Sequence, residues 1–558
     1  MFALLSFVGS PLTSFCFVVM DKKDVYLGID LGTTNCALSF YISGRNMESV
    51  NLDNGYLLRS AVDWRSPEPC VVGKEALKRT LDLINGMVVL NAKRLIGRKF
   101  DMEETRSVMH SCRVKVVSDN QGYAAFSIPG TGHVIRPQDV SAKLLDHMFD
   151  KATVFLTDYK IMGVTVTVPA SFDQDQRLAT LNAIELSKFG TNVRLLSEPV
   201  AAAISHNLMH SVKTGYILVY DFGGGTFDVS IMEVRNETSF KVIATDGLGW
   251  AGGENYDMMI YDDMLRDFTE SNDGETLIEH PHDRTREARL ERYKARIIEM
   301  CREMKESLSA EGNTIETIDM GWLFEAQAND NQRKFGNEYD DYDGILMDYT
   351  YTLSRAHFES LIKGSIDRTI QCTCSCLDKA GLQAGSINRV VLVGGSSRIP
   401  LVRKKLAEVF PDDRIIRMDP DLCVSKGAAY YSAACDHLME ISFEECAPFS
   451  VFTKVRHGHR HFSYDPIITC RDMLPCTRSK RYIVDNAYAF EDEILIGKTD
   501  KDCRHLANLE CCGITVKPNV VLVYTFTLTK EGILRYSVTE EETKKELVKD
   551  ETVTDMNK

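Results

Sequence analysis

The sequence DFGGGTFD occupies positions 221–228 and decides the fold of this chain. It follows the apolar and β-branched run 216–220, which is short enough to be a buried strand. The strand therefore delivers Asp221 into a turn of three glycines, where backbone N–H groups can approach phosphate oxygens because no Cβ blocks them. The carboxylates of Asp221 and Asp228 would repel phosphate, so the pattern favours a divalent cation between them, such as hydrated Mg²⁺. Taken alone, the stretch is equally consistent with an ordinary glycine-rich hairpin.

A second copy of the pattern lies near the start of the chain. The strand-like run 25–29 ends in DLGTTN at positions 30–35, so Asp30 stands 191 positions before Asp221. A third glycine turn, GGSSRIP at 394–400, follows the strand-like run 389–393. The repetition predicts two similar lobes that face each other across a cleft.

Strand and helix signals alternate between these turns, which predicts an α/β fold. A strand is expected over 160–168, a helix over 171–188 with a cap at Ser171 or Asp173, and a strand end at Glu198. After about residue 435 the pattern changes to short strands separated by turns, which predicts a smaller β domain. Residues 329–343 are polar and acidic and are expected to form an exposed loop.

Composition excludes some functions. The chain has 558 residues, 44% of them hydrophobic, which is ample for several cores. A formal charge of -15 argues against nucleic-acid binding as the main activity, because such proteins usually carry a basic face. The 16 cysteines are scattered through the chain rather than concentrated as in a small secreted domain, so we expect them to be mainly reduced and buried.

Residues 1–20 carry no charged side chain and are mostly apolar. Three interpretations are open: translation could begin at Met20, or the segment could be a secretory signal, or it could be a membrane anchor. A signal would need a basic start and a small-residue cleavage site, and Pro11 weakens a spanning helix. We therefore expect no membrane association and a cytoplasmic protein, or one of the endoplasmic reticulum if residues 1–20 act as a signal.

On the evidence of five motifs, the chain resembles the Hsp70 heat-shock chaperone family. The motifs are GIDLGTT at 28–34, AKRLIGR at 92–98, Glu198-Pro199, the opening stretch, and VLVGGSSRIP at 391–400. The resemblance implies a two-lobed, actin-like (ribonuclease H-like) ATPase domain at 23–436, preceded by an apolar leader at 1–22. A divergent linker at 437–446, a divergent β-sandwich-like substrate domain at 447–540 and a charged tail at 541–558 would follow, without the family's helical lid.

The resemblance also implies a set of residues for ATP/ADP and Mg²⁺. Asp30 and Asp221 would hold the metal through water, and Lys93 and Glu198 would act on the γ-phosphate and the attacking water. Thr226 and Asp228 complete the catalytic set. The phosphate-binding residues implied are Gly32, Thr33, Thr34, Asn35, Lys93, Gly223, Gly224, Gly225 and Thr226.

For the adenosine end, the resemblance implies Gly253, Arg302, Lys305, Ser309, Gly394, Gly395, Ser396, Arg398 and Asp421. Here the chain departs from the family. Arg302 stands where a glutamate is frequent, and Glu306 stands where many members have arginine. Asn35 also replaces a common aromatic residue. We expect nucleotide to bind with altered affinity.

The resemblance implies an ATP-dependent chaperone that binds unfolded or nascent polypeptides and takes part in the stress response. J-domain co-chaperones and nucleotide-exchange factors would be its partners, and Pro169 and Arg177 would relay the nucleotide state between domains. The alternative is a nucleotide-binding regulator or co-chaperone that hydrolyses ATP weakly or not at all.

Three further motifs compete with this interpretation. GLGWAG at 247–252 matches the dinucleotide-binding fingerprint G-x-G-x-x-G, although a lone match is weak. Cysteines at 372, 374 and 376 lie near His357, and histidines alternate at 457, 459 and 461, so either group could suggest a metal site. Helix packing explains the cysteines more simply, and a solvated hairpin explains the histidines.

Overall fold

The computed structural model describes most of the chain. The described residues are 23–43, 47–65, 70–82, 87–109, 112, 114–190, 192–210, 212–271, 284–323, 349–457, 461–483, 491–497, 503–510 and 520–553. The leader and the expected loop at 329–343 lie outside them, as do the side chains of the alternating histidines.

The first lobe, lobe I, occupies the chain up to residue 197. Its strands are β1 (Lys23–Asp30), β2 (Asn35–Ile42), β3 (Glu48–Ser49), β4 (Leu57–Arg59), β5 (Ala61–Asp63), β6 (Val71–Val72), β7 (Val88–Leu90), β8 (Val116–Ser118), β9 (Ala124–Ser127), β10 (Val134–Ile135), β11 (Tyr159–Val168) and β12 (Val193–Ser197). Its helices are α1 (Lys74–Asp82), α2 (Glu103–Met109), α3 (Pro137–Phe155) and α4 (Gln174–Leu186).

The central sheet of lobe I places β1 in its middle, in the order β12-β11-β1-β2-β3, with β4 also on β2. Strand β1 is parallel to β11 and antiparallel to β2. Residues 25–29 of β1 form a continuous buried run, so both faces of the strand are covered, and its apolar side chains share one core with α3 and α4. This arrangement brings Asp30 to the edge where the strands end.

The second lobe, lobe II, repeats this plan. After α5 (Glu198–His210), its strands are β13 (Gly215–Phe222), β14 (Phe227–Asn236), β15 (Ser239–Leu248), β16 (Ile315–Asp319), β17 (Thr350–Ser354), β18 (Ile387–Val393), β19 (Ile415–Arg417) and β20 (Ser442–Glu444). Its helices are α6 (Gly253–Ser271), α7 (Arg284–Ser309), α8 (Arg355–Ala380), α9 (Pro400–Ala407) and α10 (Cys423–Cys435).

The sheet of lobe II runs in the order β19-β18-β13-β14-β15-β20. Strand β13 is parallel to β18 and antiparallel to β14, just as β1 is parallel to β11 and antiparallel to β2. Asp221 therefore occupies in lobe II the place that Asp30 occupies in lobe I. The predicted duplication is confirmed.

Helices α5 and α10 join the two lobes. They pack so closely that a Cβ on Gly427 would lie 1.8 Å from the carbonyl oxygen of Ala201. Only glycine permits this approach. The packing places both sheet edges on one cleft.

The β domain is a sandwich of two antiparallel sheets. Its strands are β21 (Ser450–His457), β22 (His461–Ile468), β23 (Cys476–Ile483), β24 (Glu491–Gly497), β25 (Arg504–Glu510), β26 (Val521–Leu528), β27 (Leu534–Glu540) and β28 (Glu546–Thr552). The sheets run β22-β21-β24-β25 and β23-β26-β27-β28, and their inner faces share one apolar core. The α/β fold with a following β-sandwich is thus as predicted.

Two details of the C-terminal half correct the predictions. The expected charged tail at 541–558 contains β28, which pairs with β27. The strand was not predicted because most of its side chains are charged. Val548 of β28 packs into the sandwich core, and Val553, just after the strand, is buried in the same core. Within the expected linker, Ser442–Glu444 forms β20, which lies parallel to β15 and extends the lobe II sheet. Among the described helices, none combines the length and apolarity needed to cross a membrane.

Candidate functional site

A cavity of about 420 Å³ lies between the two lobes at the strand ends. Most of the residues expected from the sequence line it. These are Asp30, Gly32, Thr33, Thr34, Asn35, Lys93, Glu198, Asp221, Gly223, Gly224, Thr226, Gly253, Arg302, Lys305, Ser309, Gly394, Gly395, Ser396, Arg398 and Asp421.

Two expected residues stand behind the cavity wall. A Cβ on Gly225 would contact the side chains of Thr33 and Arg94, so this glycine lets the two lobes approach each other. Asp228 is buried and pairs directly with Asp221 across β13 and β14. Its charge acts on Asp221 rather than on the cavity itself.

The two glycine turns form one end of the cavity, which we call the phosphate end. A Cβ on Gly32 would lie 2.0 Å from the carbonyl oxygen of Asn35, and one on Gly224 would lie 2.0 Å from the Thr34 hydroxyl oxygen. Space for side chains is therefore absent at both turns. A ligand here would meet backbone N–H groups and the threonine hydroxyls, which suits an anion.

Lys93 is the buried cation of the phosphate end. It lies in a short 3-10 helix, Ala92–Leu95, and its Nζ donates a 2.6 Å hydrogen bond to Glu198 Oε1 at the start of α5. The ammonium also lies 5.6 Å from the centre of the Phe172 ring. Burial alone would lower the pKa of Lys93, but the Glu198 and Asp30 carboxylates outweigh it and raise the pKa.

Several carboxylates crowd the phosphate end around Lys93. Burial, with the nearby Glu198 charge, raises the pKa of Asp30 to about 7. Burial, Glu198 and Asp228 likewise raise the pKa of Asp221 well above its usual range. Such a set fits a divalent cation, which would neutralise the crowded carboxylates. In the part of the chain that the structure describes, no three His, Cys, Asp or Glu side chains are arranged to ligate a metal directly.

The other end of the cavity, which we call the base end, is built from α7, the 394–398 turn and residue 421. Lys305 Nζ donates to the Gly253 carbonyl oxygen at 2.8 Å and pairs with Asp257 at 2.5 Å. Arg398 pairs with Asp421 at the mouth. Ser396 donates a 2.7 Å hydrogen bond to the Gly223 carbonyl oxygen and so ties the base end to the phosphate turn.

Charged side chains of α7 at the base end form a local network. Arg302 donates to Glu306 Oε1 at 2.9 Å and to Glu299 Oε1 at 2.8 Å. The guanidinium is thus engaged by carboxylates of its own helix. The side chain of Glu306 is 58% exposed and offers no planar cation for a ring.

The sequence analysis did not identify the residues that form contacts between the two lobes beside the cavity. Glu254, at the start of α6, accepts a 2.8 Å hydrogen bond from the Thr34 hydroxyl of lobe I and pairs with Arg94 at 3.3 Å. Trp250 lies under the guanidinium groups of Arg94 and Arg98, 6.0 and 5.2 Å from its ring centre. The signal available was the acidic residue directly after Gly252-Gly253 at a helix start.

Two competing motifs find structural explanations. GLGWAG begins in the last two residues of β15, which is antiparallel to β14, so it does not belong to the parallel β-α-β unit of a dinucleotide fold. Cys372 and Cys376 lie on the buried face of α8, and Cys374 is partly exposed. The cysteines are therefore part of helix packing.

The start of α4 contacts the β domain, and this is where Arg177 lies. Its guanidinium donates 2.9 Å to the Glu531 carbonyl oxygen. Gln174 makes both a donor and an acceptor hydrogen bond with the backbone of Leu534. Arg504 of β25 pairs with Asp173 and Asp175 at 2.9 and 3.0 Å. Pro169 lies outside this contact, in the wall of a small cavity with Lys93.

Comparisons with known proteins agree with this geometry. The family model described as "Hsp70 protein" matches residues 26–558. Similar proteins include a "Chaperone protein HscA homolog" of Bordetella petrii, 30% identical over 94% of this chain and 77% of that protein. The mitochondrial "Heat shock 70 kDa protein" of Pisum sativum is 28% identical over 98% of this chain and 77% of its own length. A "Chaperone protein DnaK" of Psychrobacter cryohalolentis is 28% identical over 93% and 76%. A family match over nearly the whole described chain, with the paired aspartate turns around one cleft, shows that this chain belongs to the Hsp70 chaperone family.

Proposed function

We propose that this chain binds ATP with Mg²⁺ in the cleft, hydrolyses it, and uses the nucleotide state to control polypeptide binding by the β domain. The observation that carries the proposal is the buried Lys93–Glu198 pair beside Asp30 and Asp221. It joins a fixed cation to carboxylates at the point where two glycine turns can hold phosphates.

Each residue at the phosphate end has a role that its environment supports. Thr33, Thr34 and the turn 223–226 would donate hydrogen bonds to phosphate oxygens. Lys93 would place its ammonium against the γ-phosphate, where negative charge is spread over the oxygens in the transition state. Glu198 would accept a hydrogen bond from the attacking water and orient it, since its carboxylate already faces Lys93.

Asp30 and Asp221 would hold the cation through water, with Asp228 adding negative charge behind Asp221. Bound Mg²⁺ would supply charge neutralisation for the phosphates. The protein contributes little covalent chemistry, because its groups position the water and the phosphates and hold charges in a site closed by two lobes.

The base end would hold adenosine through Gly253, Arg302, Lys305, Ser309, Gly394, Gly395, Ser396, Arg398 and Asp421. Arg398 can stack on the base through its planar guanidinium, but Glu306 cannot supply a second such group. We therefore propose that ATP and ADP bind more weakly than they would with two guanidinium groups around the base.

For the β domain we propose binding of unfolded or nascent polypeptide, with J-domain proteins and nucleotide-exchange factors as partners. The contacts of Arg177 and Gln174 with the 531–534 turn support coupling between cleft and sandwich. We further propose a cytoplasmic location.

A second function has one observation in its favour. The Arg302–Glu306 pair occupies the base end with an internal ion pair, which would suit a regulator that holds nucleotide for shape without turning it over. The Lys93–Glu198 pair favours the enzyme instead, because a purely structural nucleotide needs no water-orienting carboxylate.

A single-turnover ATPase measurement separates the two functions. Wild-type protein should hydrolyse ATP, and Lys93→Ala should do so about 100-fold more slowly, because the variant loses the cation at the γ-phosphate. Lys404→Ala, which changes an exposed lysine of α9, is the matched control and should behave as wild type. Equal turnover by wild type and Lys93→Ala would contradict the enzyme and favour the regulator.

A further inference from the structure

A second, much smaller cavity lies behind the phosphate end, at the boundary between the two lobes. Its volume of about 20 Å³ is room for roughly one water molecule. Thr33, Lys93 and Thr226 line both this cavity and the nucleotide cleft, so they separate the two spaces. We call the small cavity the rear passage. The rest of its wall consists of Arg94, Arg98, Pro169, Ser171, Phe172, Gln176, Gly249 and Trp250.

The wall of the rear passage is positively charged. Lys93, Arg94 and Arg98 contribute three cations, and no aspartate or glutamate stands among the described residues of this wall. At the mouth of the cleft, by contrast, Glu306 and Asp421 pair with the nearby arginines. A narrow space whose walls carry charge of one sign concentrates ions of the opposite sign. The rear passage therefore suits an anion better than the mouth does.

Two of these cations have a hydrogen-bond donor that the protein does not use. Arg94 pairs with Glu254 through Nη1 at 3.3 Å, and Nη1 of Arg98 lies 4.0 Å from Asp173. The Nε–H groups of both arginines, however, are buried and have no hydrogen-bond partner among the described residues. The side chain of Arg94 is only 5% exposed. Because a buried donor without an acceptor is costly, an anion that entered the passage would satisfy groups that the fold leaves unsatisfied.

Trp250 covers the rear passage on the side away from Lys93. Its side chain is partly exposed, and its ring centre lies 6.0 and 5.2 Å from the guanidinium carbons of Arg94 and Arg98. Trp250 belongs to lobe II, whereas both arginines belong to lobe I. A rotation of the indole side chain, or of one lobe against the other, would therefore widen the passage enough for an ion larger than water.

The position of the rear passage matches the need to release a product. Hydrolysis would leave inorganic phosphate beside Lys93 while ADP still fills the cleft between that point and the mouth. The rear passage begins at Lys93 and avoids the nucleotide. We propose that inorganic phosphate leaves through the rear passage, moving from Lys93 past the two arginines and out beside Trp250. This route rests on the proposed hydrolysis of ATP and adds the way in which one product departs.

Inorganic phosphate added to the complex with ADP and Mg²⁺ tests the route without any hydrolysis, so a failed ATPase assay cannot be mistaken for a failed route. In a chain with Trp64→Phe and Trp322→Phe, Trp250 is the one tryptophan left, and its fluorescence should change saturably with phosphate. Arg98→Gln in that chain should weaken the apparent phosphate affinity about tenfold, because a charge-assisted donor is lost. Arg296→Gln is the matched control. This exposed arginine lies 4.1 Å from the ring centre of residue 322, away from the passage, and its loss should leave the titration unchanged.

Stopped-flow release of bound phosphate into an excess of a fluorescent phosphate sensor tests the cover. Trp250→Ala should release phosphate about tenfold faster than wild type, because the passage is then open. ADP affinity should stay unchanged, since Trp250 does not line the cleft. Trp322→Phe, a change to a tryptophan remote from the passage, should release phosphate at the wild-type rate.

Three results would overturn the route. A titration without a Trp250 signal, or with the same phosphate affinity after Arg98→Gln, would show that phosphate does not reach the arginines. Equal release rates in wild type and Trp250→Ala would show that phosphate leaves by the mouth of the cleft. Failure of ADP to bind in calorimetry would contradict the proposed function itself, and the route with it. Unchanged circular dichroism in each variant keeps loss of folding apart from these outcomes.

Discussion

The two ends of the cleft are built on different principles. At the phosphate end, Lys93 and Glu198 are each 8% exposed, and the backbone of two strand-end turns forms the wall. At the base end, side chains from α7 and from the 394–398 turn form the wall, and Arg398 and Glu306 have 47% and 58% of their side chains exposed.

This difference gives the two ends a different tolerance of substitution. A turn that must bring backbone N–H groups to a phosphate tolerates no Cβ, so its sequence is fixed by sterics. An exposed helix face tolerates an exchange of charge, because the Arg302–Glu306 pair satisfies itself in either order. Three substitutions test this contrast.

The largest effect is expected for Gly32→Ala. The new Cβ would lie 2.0 Å from a backbone oxygen, so the first turn must distort. We expect ATP affinity by calorimetry to fall about 100-fold, since several phosphate contacts depend on this turn. Gly364→Ala, in α8 and outside the cavity wall, is the matched control: its Cβ has no atom within 4 Å, so affinity should change less than threefold. A similar loss of ATP affinity in both variants would show that the steric fit of the first turn is not the cause.

Asp30→Asn should raise the stability of the nucleotide-free protein and at the same time weaken Mg-ATP binding. A buried aspartate with a pKa of about 7 holds a proton in the folded chain but not in the unfolded chain between about pH 4 and pH 7. Its contribution to stability therefore falls as pH rises through 7. In nucleotide-free protein at pH 8, Asp30→Asn should raise the free energy of unfolding by about 2 kcal/mol while weakening Mg-ATP binding about tenfold.

Chemical denaturation of nucleotide-free protein at pH 5 and pH 8 measures this effect. The variant's advantage over wild type should shrink at pH 5, where wild-type Asp30 is already protonated. Asp413→Asn, at an exposed site, controls for removal of a charge. An advantage of the same size at both pH values would show that Asp30 is not the group responsible.

Arg398→Ala should have the smallest effect. Its guanidinium is half exposed at the mouth of the cleft, so we expect ATP affinity to fall about threefold with turnover at saturation unchanged. Arg403→Ala removes a comparable surface ion pair with Asp412, away from the cleft, and should not alter affinity. A loss as large as that of Gly32→Ala would show that the base end contributes as much to ATP affinity as the phosphate end.

The turns could be predicted from the sequence because their signals are local. A strand, an aspartate and glycines within eight residues specify the position of Asp221, and the same holds for Asp30. The link between Lys93 and Glu198 required the family resemblance, since 105 residues separate the two. The duplication of the lobes followed from the repeated motif.

Other features depend on packing that no local pattern records. Glu254 closes the site only because Thr34 and Arg94 of the other lobe reach it. Strand β28 was mistaken for a tail because its charges conceal Val548, one valine facing the sandwich core. The wall of the base end combines residues from 253 to 421. The sequence shows the charges of Arg302 and Glu306, but only the fold shows which residues lie beside them in this wall.

The central claim is that carboxylates at the phosphate end accept a triphosphate only together with a divalent cation. Calorimetry of wild-type protein with ATP, in the presence of Mg²⁺ and again in excess EDTA, tests it directly. Without the cation, the triphosphate would either be repelled by the carboxylates of Asp30 and Asp221 or require them to take up protons, so affinity at pH 8 should fall about 100-fold or more without Mg²⁺. Equal affinity with and without Mg²⁺, or no binding in either case, would contradict the claim.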